Sequence, residues 1–242
     1  MIRCTRVSCG SGRGDRGLRG VSLHLPKGSM GFVVGPSGAC KTLLLQLCYG
    51  EFTPERGTVL IDGIDTKDMR GRSLRRMRRA IGYITPGIPL LEHRSILDNV
   101  LVPFELRRMG WRRSVRASLE TLDRLGMLHL AHVYPGDLSA GERALAMIAR
   151  AVAHRPGLVL VDDLLPVLPE SVPCRVVSEF SDMVLRGSAV LVATRAVAHA
   201  PPGTRVWQLR DGIVDAYDTV PPRPTARQSA VLTALLGSWG AT

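Results

Sequence analysis

Gly35-Pro36-Ser37-Gly38-Ala39-Cys40-Lys41-Thr42 follows the apolar run Met30-Gly31-Phe32-Val33-Val34 and opens Leu43-Leu44-Leu45. An apolar run, a glycine-rich turn and Lys-Thr at the head of a leucine run read as strand, loop and helix, the context of a phosphate-binding P-loop. In such a loop the backbone N–H groups and the helix N-terminus converge on an anion, and the helix dipole adds to their attraction. Lys41 is placed to reach the β- and γ-phosphates of a nucleotide, and the Thr42 hydroxyl to bind Mg²⁺. The pattern G-x-x-x-x-G-K-[ST] asks for glycine where this chain has Cys40. Gly35 and Gly38 are kept, so the stretch reads as a damaged P-loop rather than a chance match.

The surrounding chain bounds the possibilities. Its 242 residues suffice for one large α/β domain or a domain with a small inserted lobe, and at 45% hydrophobic they can build a sizeable core. The net charge of +11 is carried almost wholly by arginine, lysine occurring only at positions 27, 41 and 67. Such a balance suits nucleic acid or an anionic membrane surface; solvated arginines standing in for lysines explain it as well. Cys4, Cys9, Cys40, Cys48 and Cys174 are odd in number and lack C-x-x-C spacing. That pattern speaks against a zinc site or a disulfide framework and for reduced thiols in the cytosol. No apolar stretch approaches the roughly 18 residues of a membrane span, and Met1-Ile2-Arg3-Cys4 lacks a signal-peptide core. The expectation is a soluble protein that a partner must hold at any membrane.

Taken in order, Ile2 to Val7 and Leu18 to Leu25 read as an antiparallel pair around a glycine-rich turn. The helix from Thr42 is expected to end near Gly50, and Gly57 to Gly63 to form a strand closing in an Asp-Gly turn. A basic helix over Arg70 to Arg79 and a strand over Ala80 to Ile84 follow. The segment from about 92 to 134 reads as all-helical from its spacing of Leu97, Val100, Leu101, Val115, Leu119, Leu122 and Leu125. The core resumes with a helix after Ser139, a strand over Leu158 to Val161, a helix near 170–186, a strand over Ala189 to Ala193 and a hairpin turning at Asp211-Gly212. The proline cluster at 221–224 marks a boundary before a tail with one short amphipathic helix over 226–236.

Three further stretches identify a family. Leu138-Ser139-Ala140-Gly141-Glu142 resembles the LSGGE signature of ABC-type ATPases, running on as Ile148-Ala149-Arg150-Ala151. Leu158 to Val161 followed by Asp162-Asp163 resembles their Walker B strand, and the order of P-loop, helical lobe, signature and Walker B is theirs. Within the family, Met1-Ile2-Arg3, Leu18-Arg19-Gly20-Val21-Ser22, Pro26-Lys27-Gly28, Leu74-Arg75-Arg76 and Ile81-Gly82 resemble the FtsE branch of cell-division ATP-binding subunits, over about residues 1–218. Lipoprotein-export and methionine-uptake ATPases share several of these words. The implied fold is α/β: a P-loop NTPase core with an N-terminal antiparallel β-subdomain and an inserted helical lobe, spanning residues 1–220 ahead of a 221–242 tail.

The resemblance implies that two subunits, alike or different, sandwich ATP and Mg²⁺, the P-loop of one facing the signature of the other. Leu138, Ser139, Ala140 and Gly141 would then meet the γ-phosphate across the interface; Ser139 with Glu142 also reads as an ordinary capping box. Asp162 would hold Mg²⁺ with Thr42. The family's hydrolytic glutamate is replaced by Asp163, one methylene shorter, and its switch histidine by Arg195, which can still neutralise a γ-phosphate. The expected glutamine after Ile84 falls on Pro86, the D-loop aspartate on Pro169, and no aromatic near Ser11 is available to stack on adenine. His199 stands four residues beyond Arg195 as a possible substitute or a plain surface residue. At Cys40 a positive φ would cost about 1–2 kcal/mol, and a thiol at a helix N-terminus beside Lys41 is a candidate for oxidation that blocks nucleotide; plain loss of the glycine is the simpler alternative. An integral, permease-like FtsX-like subunit is the implied partner, on the inner face of the plasma membrane. A catalytically inactive structural module and a nucleic-acid-associated protein are the competing readings, the last resting only on the arginine excess. Arginines 107, 108, 112, 113 and 116 suit either an anionic lipid surface or solvent.

Overall fold

The computed structural model describes residues 1–10, 17–164, 168, 172–195 and 200–219. The expectations for Ser11, Pro169, His199 and the 221–242 tail lie outside these residues.

Two sheets carry the fold. Strands β1 (Ile2–Gly10), β2 (Gly17–Leu25), β4 (Arg56–Ile61) and β5 (Ile64–Asp65) form an antiparallel sheet in the order β2-β1-β4-β5. The larger sheet runs β10-β9-β3-β8-β7-β6, from β3 (Met30–Val34), β6 (Ile81–Ile84), β7 (Leu158–Asp162), β8 (Ala189–Thr194), β9 (Arg205–Arg210) and β10 (Ile213–Thr219). All its neighbours are parallel except the β9–β10 hairpin at one edge. The continuous apolar runs of β7 and β8, buried at every position, fit parallel strands covered on both faces.

The two faces can be read off alternate residues. Val159, Val161, Val190 and Val192 join one core, shared with α3 (Ile96–Leu106), α5 (Ala140–Val152) and α6 (Pro173–Leu185). Leu158, Leu160, Ala189 and Leu191 join the other, beneath α1 (Lys41–Cys48) and the antiparallel sheet. The period of two puts Asp162, two residues after Leu160, on the α1 face. Helix α4 (Trp111–Arg124) packs on α3 and α5, so that α3 and α4 stand as the helical lobe. Helix α2 (Gly71–Arg79) lies against β6 and exposes most of its arginines.

Element by element the expected order is found, with shifted ends. The P-loop helix starts at Lys41, α2 at Gly71 rather than Arg70, and the described part of the helix expected near 170–186 at Pro173. The ends of β3, β6, β7 and β8 fall at one edge of the parallel sheet, where α/β proteins gather their ligands.

Candidate functional site

The loop after β3 is shaped by close approach as much as by its glycines' freedom. A Cβ on Gly35 would overlap the Leu209 carbonyl oxygen of β9, and the Gly35 amide donates to the Thr194 carbonyl at the end of β8. Gly38 (φ 84) and Cys40 (φ 70, ψ 25) both take left-handed backbone, so the cost considered for a positive φ at Cys40 applies. Cys40 is also the N-cap of α1 yet makes no side-chain cap bond, where serine, threonine, aspartate or asparagine would. The first-turn amides of α1 have no carbonyl of their own helix to bond, which leaves them for an anion.

Lys41 is buried, with Nζ donating to the carbonyls of Gly35 (2.7 Å) and Pro36 (3.0 Å). Burial holds its ammonium below the usual range, opposed by Asp163 and Asp162 and reinforced by Arg195. The ammonium is thus held against the loop's own carbonyls. Thr42 Oγ1 donates to Asp162 Oδ1 at 3.0 Å, joining residues 120 apart in sequence.

Asp162 is buried at the end of β7, and burial pushes its carboxyl above the usual carboxylate range against the hydroxyls of Thr42 and Thr85. Thr85 Oγ1 lies 3.4 Å from Asp162 Oδ2. Thr85 is not among the residues expected from the sequence, where the glutamine position falls on the next residue, Pro86, which is exposed. Thr85 directly follows β6 and Asp162 ends the neighbouring parallel strand β7, which brings the two together. One carboxylate and one hydroxyl in contact are hard oxygen donors of the kind Mg²⁺ takes alongside phosphate oxygens and water, so the site fits that ion. Asp162 and Thr42 would hold it.

Asp163 follows in left-handed backbone (φ 46). Its Oδ2 accepts from Arg195 Nε at 3.1 Å, while Oδ1 is buried without a donor among the described residues. The two positions read as hydrolytic therefore meet, as an ion pair. Pocket geometry completes the site. A cavity of about 370 Å³ opens against Pro36 to Cys40 and is walled by Gly17, Arg19 and Asp211. Arg19 and Asp211 were not singled out from sequence; Arg19 comes from β2 and Asp211 from the β9–β10 turn, which are joined by the Arg19 amide donating to the Gly212 carbonyl (2.8 Å).

Ser139 caps α5. Its Oγ accepts from the Glu142 amide (3.3 Å) while the Ser139 amide donates to Glu142 Oε2 (2.8 Å), a complete capping box. Leu138 is buried beneath it, Ser139 and Ala140 are exposed, and Gly141 is buried. The capping role is thus occupied within the chain, and the exposed cap leaves a signature role across an interface open.

Comparison with known proteins follows the same outline. The ABC transporter family profile matches residues 18–165. The cell division ATP-binding protein FtsE of Haemophilus influenzae is 32% identical over 198 residues, covering 81% of this chain and 91% of that protein. FtsE of Bacillus subtilis is 30% identical over 218 residues, covering 88% and 94%. Among solved structures, a dimeric ATP-binding cassette in a post-hydrolysis state with ADP and Pi superimposes with a TM-score of 0.83 at 26% identity, covering 91% of this chain and 99% of that one. With the family profile, the relatives and the cassette fold in agreement, the chain belongs to the ABC transporter family, as an ATP-binding subunit of FtsE-like sequence.

Proposed function

We propose that the chain binds Mg-ATP, closes on a second cassette, and passes that closure to a membrane partner in cell division while hydrolysing slowly. The observation that carries this reading is the contrast within one strand end. Asp162 keeps its contact with Thr42 beside a buried Lys41, whereas Asp163 is engaged by Arg195. Binding residues are in order; the water-activating carboxylate is short and held from the side.

In this reading the P-loop amides from Gly35 to Thr42 and Lys41 Nζ bind the phosphates, Lys41 exchanging its loop carbonyls for them. Mg²⁺ held by Thr42 and Asp162 would neutralise charge developing on the phosphate oxygens. Asp163 would orient the attacking water, and Arg195 would offset γ-phosphate charge when released from Asp163. Leu138 to Gly141 of one subunit would close on the nucleotide of the other, in a homodimer or a heterodimer. The relatives are named as cell division ATP-binding proteins, which fits a role in division; an FtsX-like permease partner and a peripheral place on the inner face of the plasma membrane are part of this reading. Among the described residues no helix is long and apolar enough to cross a membrane.

Mass by light scattering tests the dimer: it doubles with Mg-ATP and stays monomeric in Ser139→Arg. A nucleotide-loaded wild type that remains a monomer at every concentration counts against closure by two copies. The Asp163–Arg195 pair and the strained Cys40 also favour a second reading, an inactive pseudo-ATPase that serves as a binding module. Any turnover abolished by Lys41→Ala excludes it.

A further inference from the structure

The turn between α3 and α4 carries charge and apolar surface that the fold leaves unused. From Leu106-Arg107-Arg108-Met109-Gly110-Trp111 through Arg112-Arg113-Ser114-Val115-Arg116 there are five arginines and no carboxylate. Two of them are engaged: Arg116 pairs with Glu120 (2.8 Å), and Arg107 donates to the His154 carbonyl (3.3 Å). Arg108, Arg112 and Arg113 are exposed and have no carboxylate partner among the described residues.

The turn is firmly built. The Arg107 and Met109 amides both donate to the Phe104 carbonyl (3.1 Å each), and the Arg108 amide to that of Glu105 (3.0 Å). Phe104 is buried and Met109 packs against the same core, which anchors the turn from beneath. Arg108 takes left-handed backbone (φ 55) just after the helix end, where glycine is the usual residue. The bond from Arg107 ties the turn to the connection ahead of β7, at the strand end opposite Asp162.

Two apolar side chains bracket it on the outside. Leu106, the last residue of α3, is 53% exposed, and Trp111, the first of α4, is 65% exposed. Either alone would need no explanation. Together they set apolar surface beside three unpaired guanidinium groups. Seven of the eight residues from Leu106 to Arg113 are exposed, so the turn is convex and offers a peptide no groove. A flat anionic bilayer surface answers both features. Tryptophan rings settle at the headgroup level, and arginine stems run along apolar surface while their heads reach lipid phosphates.

We propose that the α3–α4 turn touches an anionic lipid surface directly, with Trp111 and Leu106 seated at the headgroup boundary and Arg108, Arg112 and Arg113 paired with lipid phosphates. The contact adds to the membrane placement proposed above without resting on it, because neither nucleotide nor a second cassette takes part.

Co-sedimentation of the purified full chain with vesicles tests it. At low salt the chain is expected to bind vesicles of equal parts phosphatidylglycerol and phosphatidylcholine at least ~10-fold more tightly than phosphatidylcholine alone, with the difference shrinking as salt is added. Arg108→Gln/Arg112→Gln/Arg113→Gln keeps long side chains and is expected to weaken binding at least ~30-fold, each arginine near such a surface counting for about fivefold. Lipid brominated near the headgroup is expected to quench the tryptophan emission of the wild type and not that of Trp111→Phe; Trp207 is buried. No binding to the anionic vesicles, equal binding to phosphatidylcholine alone, unaltered binding by the triple variant, or quenching that survives in Trp111→Phe would overturn the proposal. Tighter binding to duplex DNA than to the vesicles, lost in the triple variant, would overturn it as well by assigning the turn to nucleic acid. Mg-ATP binding is titrated separately and is expected to be the same in the triple variant, which distinguishes a failed lipid contact from a failed nucleotide site or a misfolded chain.

Discussion

Lengthening Asp163 by one methylene separates two explanations of slow turnover by their size. The first is reach. Aspartate falls about 1.5 Å short of glutamate, one C–C bond, and a misplacement of about 1 Å costs ~10²-fold in rate, or about 2.7 kcal/mol. The second is the ion pair. Arg195 Nε lies 3.1 Å from Asp163 Oδ2, with side chains 64% and 27% exposed. A pair so open to solvent contributes about 0.2–1 kcal/mol, and releasing it changes the rate by no more than about fivefold. Reach therefore dominates. In a phosphate-release assay with excess Mg-ATP, Asp163→Glu is expected to raise turnover about 10²-fold, and Arg195→Ala to gain no more than about fivefold from freeing Asp163, less whatever Arg195 contributes at the γ-phosphate. A gain of tenfold or more for Arg195→Ala would refute the reasoning, as would an Asp163→Glu enzyme within about threefold of wild type.

Cys40→Gly removes a left-handed strain of about 1–2 kcal/mol and adds roughly 0.4–1 kcal/mol of unfolded-chain entropy. The net gain of about 0 to 1.6 kcal/mol raises Tm at about 2–4 °C per kcal/mol in a chain of this size; a lowered melting temperature contradicts the account. Burial and the neighbouring Arg107 hold the His154 imidazole down at about 4, against its ordinary 6.5. Between those values the unfolded chain binds the proton and the folded chain does not, so stability is full above about pH 6.5 and falls as the pH drops toward 4. The loss is about 3 kcal/mol. Urea unfolding at pH 7 and pH 4.5 is expected to show His154→Phe losing less than wild type over that interval, and equal losses would contradict it.

The parts legible in the sequence are those that neighbouring residues specify. The P-loop announced itself in eight consecutive residues, β7 in an unbroken apolar run, and the α5 cap in Ser139 and Glu142 three residues apart. Pairings across the chain were not legible. Thr85 meets Asp162 from 77 residues away, Arg195 meets Asp163 from 32, and Arg124 meets Glu179 from 55. Periodicity carries no information about such partners, because they are set by strand order and by which helices pack on which face. The positive φ of Cys40 was legible for the opposite reason: the P-loop pattern places a glycine there, and the backbone keeps the conformation after the residue has changed.

Mg-ATP binding by the purified chain, set beside Lys41→Ala, tests the central claim most directly. The account predicts saturable binding by the wild type, weakened at least ~10-fold when the charge-assisted bonds of Lys41 are lost, with phosphate release slow on the same samples. Absence of binding by the wild type, or equal binding by both proteins, would contradict it.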